Sequence, residues 1–436
     1  MNICKIFLFF IQFYFFMTKI IKIPFQLTND NKLKGDFMEN FFFKKKILIS
    51  FLIGSNKQQI FFTLTMSNYY TSITSINSNS FLKKYNESSS LTFQSFDEIK
   101  DLDSFYLGLK CKETFYIDDK TKLKNFPFYL VEITKFESMN EYGILGLNLL
   151  NRFDLDKDFN FINNLKQNKM INDYTFYFNF DKNDLLKGEL IIGENNIYSQ
   201  FETVYDSSLN INEFNFWELN IKNIYLNDQL ISNKKEIVDI SIENPLIIGT
   251  KEKFEYLKKI FFDQEGCYDN GFDYLNYDYY YVKDEVYLFY FYCKENVNIS
   301  KFPNVTFNID NINFTFTYKD LFYNFNNSNY FLILFGTKKW HFGRLFLQKY
   351  KTAFNQDKKI IIFNMKKKKN NNNINKNIII FILLFIIILC IIIIINLIYL
   401  IPKKKRANEL KDENFEYFFD DKEKQLELNN GYKIIN

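Results

Sequence analysis

The sequence predicts a mostly β protein in two lobes, followed by one C-terminal transmembrane helix. Three observations carry this reading. The chain has 436 residues, more than one compact core of ordinary size holds. It is rich in Phe (54) and Tyr (30) and poor in Gly (13) and Pro (5), a balance suited to pleated, half-buried surfaces. Residues 378–401 are almost wholly apolar, with Asn396 the strongly polar exception. Lys and Arg (55) nearly balance Asp and Glu (51), a formal charge of +4 that lacks the electrostatic footprint of a nucleic-acid binder. No nucleic-acid partner and no cofactor are expected.

Taken in order, Ile3 to Met17 is an apolar run of signal-peptide length, and residues 1–22 are assigned as a signal peptide. At the other end, 378–401 covers about 36 Å as a helix, enough to cross a bilayer with some tilt. Lys403, Lys404, Lys405 and Arg406 follow it, but Lys366 to Lys369 precede it, so the expected orientation rests mainly on the signal. The polar, low-complexity stretch 366–377 reads as a stalk, and 402–436 as a cytosolic tail. In that tail Tyr432, Lys433, Ile434 and Ile435 resemble a Tyr-x-x-apolar sorting signal. The expectation is a single-pass protein of the secretory pathway, endolysosomal or at the cell surface, with its ectodomain lumenal or extracellular.

Cysteine usage agrees with such a compartment. Cys4 falls in the signal and Cys390 in the membrane helix, leaving Cys111, Cys267 and Cys293, which is one disulfide and an odd thiol. The pair assigned is Cys267 with Cys293. Asn86, Asn298, Asn304, Asn313 and Asn326 each open an Asn-x-Ser/Thr sequon.

Between about residue 40 and residue 365, short apolar and aromatic runs alternate with Asn/Asp/Lys turns, the signature of strands. Helical spacing appears in Phe159 to Met170 and in Lys251 to Phe262. The first lobe is assigned to 40–193 and the second to 194–365.

Several blocks, in order, resemble the pepsin-like aspartic proteases. Ile49-Ser50-Phe51-Leu52-Ile53-Gly54-Ser55-Asn56 is similar to that family's opening hairpin, and Gly143-Ile144-Leu145-Gly146-Leu147 to its G-I-L-G-L strand. Tyr174-Thr175-Phe176-Tyr177-Phe178, Gly188 to Gly193, Phe216-Trp217-Glu218-Leu219 and Phe302-Pro303-Asn304-Val305-Thr306-Phe307 follow the family's later strands. Trp340-His341-Phe342-Gly343-Arg344-Leu345-Phe346-Leu347 through Asn355 resembles its closing block, W-I-L-G-D-x-F-L. The resemblance implies a bilobal acid-protease fold of two barrel-like lobes, with a peptide or protein segment held extended in the cleft between them. A monomer is expected.

The same resemblance implies two aspartates, one per lobe, sharing a proton so that one carboxylate activates water and the other polarises the scissile carbonyl. Each sits in a D-T-G loop. The first such loop falls on Leu64-Thr65-Met66-Ser67-Asn68, which puts Thr65 at the first aspartate, and a hydroxyl cannot replace a carboxylate as general base. The second falls on Val238-Asp239-Ile240-Ser241, which puts Asp239 at the second aspartate. The covering hairpin is reduced to Phe105-Tyr106-Leu107-Gly108-Leu109. His341 reads as a core or strand-end residue, and no His-based metal site is expected. The reading is a membrane-anchored, catalytically impaired homologue that binds peptide segments. The alternative is an active aspartic endopeptidase with a divergent site, in which Asp97, Asp101 or Asp103 supplies the missing carboxylate.

Overall fold

The computed structural model describes residues 20–28, 37–43, 45–76, 84–102, 106–134, 142–150, 156–181, 187–193, 204–208, 217–275 and 285–364, with Phe385, Ile392 and Ile393. The stalk, the tail and most of the expected signal and membrane helix lie outside these residues. Among the described residues no helix is long and apolar enough to cross a membrane. Among the described residues the strands form one sheet of thirteen and one of twelve, as expected for a two-lobed β protein.

Ile21–Leu27 shows how the sequence makes a strand. Ile21, Ile23 and Phe25 are buried while Lys22, Pro24 and Gln26 are exposed, the period of two that a pleat imposes. This strand is interior to the thirteen-stranded sheet, antiparallel to Lys187–Ile192 on one side and to Ile47–Ile53 on the other. Ile21 and Lys22, assigned to the signal, are residues of this strand. Val204–Ser208, Thr352–Asn355 and Ile360–Asn364, assigned to the second lobe, also belong to this first sheet. Local pattern predicts a strand but not the sheet in which it finds its partner.

The two predicted helical regions are present. Phe161–Gln167 is capped by the Asn160 side chain, which accepts from Asn163 N, and it buries Phe161, Ile162 and Leu165. Lys251–Leu257 buries Phe254 and Leu257, and Lys258–Phe262 continues it. Cys267 and Cys293 are bonded, directly opposite one another on antiparallel strands, and Cys111 is buried.

An aromatic cluster joins the two sheets. Phe176 stacks on Phe354 at 5.2 Å, and Trp217 meets both edge-on at 5.8 and 5.1 Å. Trp217 Nε1 donates to Leu147 O at 3.3 Å, and Gln356 Nε2 donates to Asn148 O at 2.9 Å. Leu147 and Asn148 directly follow the Gly143–Gly146 strand, so these contacts hold the second half of the chain against the first-lobe loop described next.

Candidate functional site

Each lobe builds the same device from three strands. In the first, Gln58–Thr65 runs parallel to Gly143–Gly146, with Thr63 opposite Ile144 and Leu64 opposite Leu145. Thr71–Thr74 runs antiparallel on the other side, with Thr71 opposite Leu145. In the second, Glu236–Ile240 runs parallel to Trp340–Phe342, with Asp239 opposite His341 and Ile240 opposite Phe342. Ile247–Thr250 runs antiparallel on the other side, with Ile247 opposite Phe342.

A glycine closes each device. Gly146 N donates to Tyr70 O at 3.0 Å, and Gly343 N donates to Leu246 O at 3.1 Å. A Cβ on Gly146 would lie 2.4 Å from Asn68 O, and one on Gly343 would lie 2.1 Å from Asn244 O, so both positions admit glycine alone.

These pairings equate Thr63 with Asp239, Leu64 with Ile240, Asn68 with Asn244 and Tyr70 with Leu246. Counting along the two loops, Thr65 answers to Ser241 and Ser67 to Glu243. The residue opposite Thr65 in the other lobe is thus Ser241, and Asp239 stands two residues earlier.

One carboxylate ties the loops together. Glu243 Oε1 accepts from the Thr65 hydroxyl, from Met66 N at 2.5 Å, from Ser67 N at 3.0 Å and from Ser67 Oγ at 3.0 Å. Its Oε2 accepts from Ser241 Oγ at 2.5 Å. Thr65 and Ser241 are buried. Four of these donors converge on Oε1, while Oε2 accepts from Ser241 alone. The arrangement joins a loop of each lobe through one carboxylate.

Asp239 is engaged elsewhere. Its Oδ1 lies 2.6 Å from His341 Nδ1, without the angle of a hydrogen bond, and its Oδ2 lies 3.5 Å from Lys339 Nζ, which also meets Glu218 at 2.8 Å. Burial pushes the Asp239 carboxyl up, but His341 and Lys339 outweigh it, and the net effect holds the group below the usual range.

A family model for the eukaryotic aspartyl proteases matches residues 49–365. The chain belongs to the eukaryotic aspartyl protease family. A search of curated proteins returned no match. For an aspartyl protease family member the site is unusual, because hydroxyls stand at both loop positions that face each other across the lobes. The sequence reading placed Thr65 at this junction and missed both Ser241 and Glu243. The missed signal is internal: Phe62-Thr63-Leu64-Thr65 and Val238-Asp239-Ile240-Ser241 alternate alike, and each loop reaches an Asn three residues later.

Among the other residues singled out from sequence, Asp97 and Asp101 are exposed on the strand Gln94–Asp101, and Phe105 and Asp103 lie outside the described residues. That strand pairs with Tyr106–Tyr116, Lys100 opposite Gly108. Lys100 and Lys110 from the two strands both bind Asp156, Lys110 at 3.0 Å, and Tyr129 Oη donates to Asp156 at 2.7 Å. Of the sequon asparagines, Asn298, Asn304, Asn313 and Asn326 are exposed and Asn86 is half-buried.

Proposed function

We propose that this protein is a non-catalytic member of the aspartyl protease family that binds extended peptide or protein segments between its lobes. The segment 378–401 anchors it in a membrane of the secretory pathway, with the lobes on the lumenal or extracellular side. The observation that carries this reading is the Thr65–Glu243–Ser241 bridge. Hydroxyls from both lobes share one carboxylate at their junction, where a pair of carboxylates would share a proton, and this favours holding over hydrolysis. An extended ligand would be held by backbone hydrogen bonds, with alternate side chains entering pockets of the walls.

The test is incubation of the full-length, detergent-solubilised protein with a broad peptide library between about pH 3 and about pH 7, the range in which a carboxylate pair cycles. No cleavage is expected from wild type, Asp239→Ala or Glu243→Gln. One further reading has an observation of its own: Ser241 Oγ donates to a carboxylate at 2.5 Å, as a nucleophile donates to its base. Cleavage abolished by both Ser241→Ala and Glu243→Gln would establish that reading and overturn the first. Cleavage abolished by Asp239→Ala alone would instead restore a divergent aspartic mechanism.

A further inference from the structure

The strand Cys267–Leu275 forms an open edge of the twelve-stranded sheet. Its nine residues pair with Glu285–Lys294 without interruption, from Cys267 opposite Cys293 to Leu275 opposite Glu285. Among the described residues no strand pairs with its other side. The Cys267–Cys293 disulfide fastens its start. Exposed edges are commonly blunted by bulges, because their outward backbone groups recruit other strands. The terminal strand of the other sheet, Gln94–Asp101, follows that rule: its register shifts between Ser95 and Ile99, and Asp97 sits at φ 55°. Cys267–Leu275 carries no such break.

The phase of the ladder shows which backbone groups point outward. Lys294 N donates to Gly266 O at 2.8 Å, so these two residues form a hydrogen-bonded pair. Such pairs alternate with non-bonded ones along an antiparallel ladder, which turns the N–H and C=O groups of Asp269, Gly271 and Asp273 away from the partner strand. The Gly271 N–H agrees with this phase. It donates to the Asn270 side chain, Oδ1 at 2.9 Å, and Asn270 Nδ2 donates to Tyr290 Oη at 3.1 Å.

Side chains beside the edge set the chemistry of what can pair with it. Asp269, Gly271 and Asp273 share one face of the strand, and Asp269 borders a cavity of about 270 Å³ lined also by Lys258, Phe262, Asp263, Glu265 and Phe291. Lys258 meets Asp269 at 3.2 Å, and no cation among the described residues answers Asp263 or Glu265, both exposed. On the opposite face Tyr268 is 42% exposed and lies 5.4 Å from Tyr292.

We propose that this edge is a docking surface for an extended segment of another protein, which adds as a further strand and alternates Lys or Arg with apolar or aromatic residues. Its backbone bonds to Asp269, Gly271 and Asp273 and displaces the Asn270 side chain from Gly271 N. Its basic side chains reach Asp263 and Glu265 in the cavity, and the alternate ones lie against Tyr268. The surface shares no residue with the Thr65–Ser241 junction, so it stands or falls independently of the reading of the cleft.

The probe is a labelled octapeptide of repeating lysine-valine-lysine-tyrosine, titrated by fluorescence anisotropy into the full-length protein in detergent at low salt. It is expected to bind, and its glutamate-for-lysine counterpart is not. The double variant Asp263→Asn, Glu265→Gln should weaken binding about tenfold. Asp273→Pro removes an outward N–H while leaving the ladder to Glu285–Lys294 intact, and should weaken it by about as much. Of two peptides methylated on alternate backbone nitrogens, one in each phase, one should fail to bind, because a strand presents every second N–H to its partner. These peptides leave the protein unaltered, so they decide the matter even where Asp273→Pro perturbs the fold. No binding of the parent peptide, equal binding of the glutamate peptide, or undiminished binding of both methylated peptides overturns the proposal. Full affinity for both protein variants places the peptide on another surface and overturns it as well.

Discussion

Thr65 and Ser241 hold the same place in the two lobes, and their hydroxyls donate to opposite oxygens of a single carboxylate, Glu243. Glu243 itself answers to Ser67, with which it also bonds. One carboxylate, supplied by the second lobe, thus bonds to loops of both lobes. Each consequence of that bridge can be measured.

Glu243→Ala removes the acceptor shared by the Thr65, Ser67 and Ser241 hydroxyls and by the Met66 and Ser67 backbone N–H groups. Orphaned buried donors cost about 1–3 kcal/mol each when water does not replace the partner, and partial relaxation brings the expected loss to about 3 kcal/mol. Urea denaturation followed by circular dichroism reads it. Glu243→Gln should lose less, since its amide oxygen still accepts, and a Gln variant as unstable as Ala would show that the bridge is not what matters at this position.

Thr65→Asp places a second carboxylate against Glu243. Like charges at this distance raise the pKa of the pair in the folded state, so the folded variant binds more protons than the unfolded chain and gains stability as pH falls. Its thermal midpoint should sit below that of wild type near pH 7 and close most of the gap by about pH 4.5, where the pair shares a proton. A deficit that widened on acidification would refute the assigned contact.

Asp239→Asn tests the buried group beside His341. The folded carboxyl is held below its ordinary range, so the stability it contributes is present above the unfolded value of about 4 and is lost as pH falls through the lower folded value. The variant should therefore be less stable than wild type by about 3 kcal/mol near pH 6, with the difference vanishing under strong acid. Stability curves that run parallel at all pH values would mean that Asp239 is not ionised in the fold.

Asp156 latches the hairpin of Gln94–Asp101 and Tyr106–Tyr116 through Lys100 and Lys110. Burial raises its pKa, but bonds from Lys100, Tyr129 and Lys110 outweigh this and bring it down to about 2. The latch is accordingly complete above the unfolded value of about 4 and lost only as pH falls through about 2. Amide hydrogen exchange in 94–101 should stay slow in wild type at about pH 4 and accelerate in Asp156→Asn. Equal exchange in the two proteins would remove the latch.

Residue order marks strands such as Ile47–Ile53 and Gln58–Thr65 as apolar runs between turn residues, whereas Ile21 and Lys22 read as signal and prove to be strand. It also determined the two short helices, the Cys267–Cys293 bond and the family, whose blocks survive in order. It placed Thr65 at the junction from the hairpin that precedes it. What faces Thr65 follows from contacts between the lobes and not from residue order. Ser241 and Glu243 acquire their roles from a pairing between residues more than a hundred positions apart, and one loop read alone allows either of two registers. The burial of Met38 among Leu246, Ile248 and Leu334 was hidden for the same reason: an apolar residue announces that it will be buried, while the surface that buries it is set by strands far along the chain.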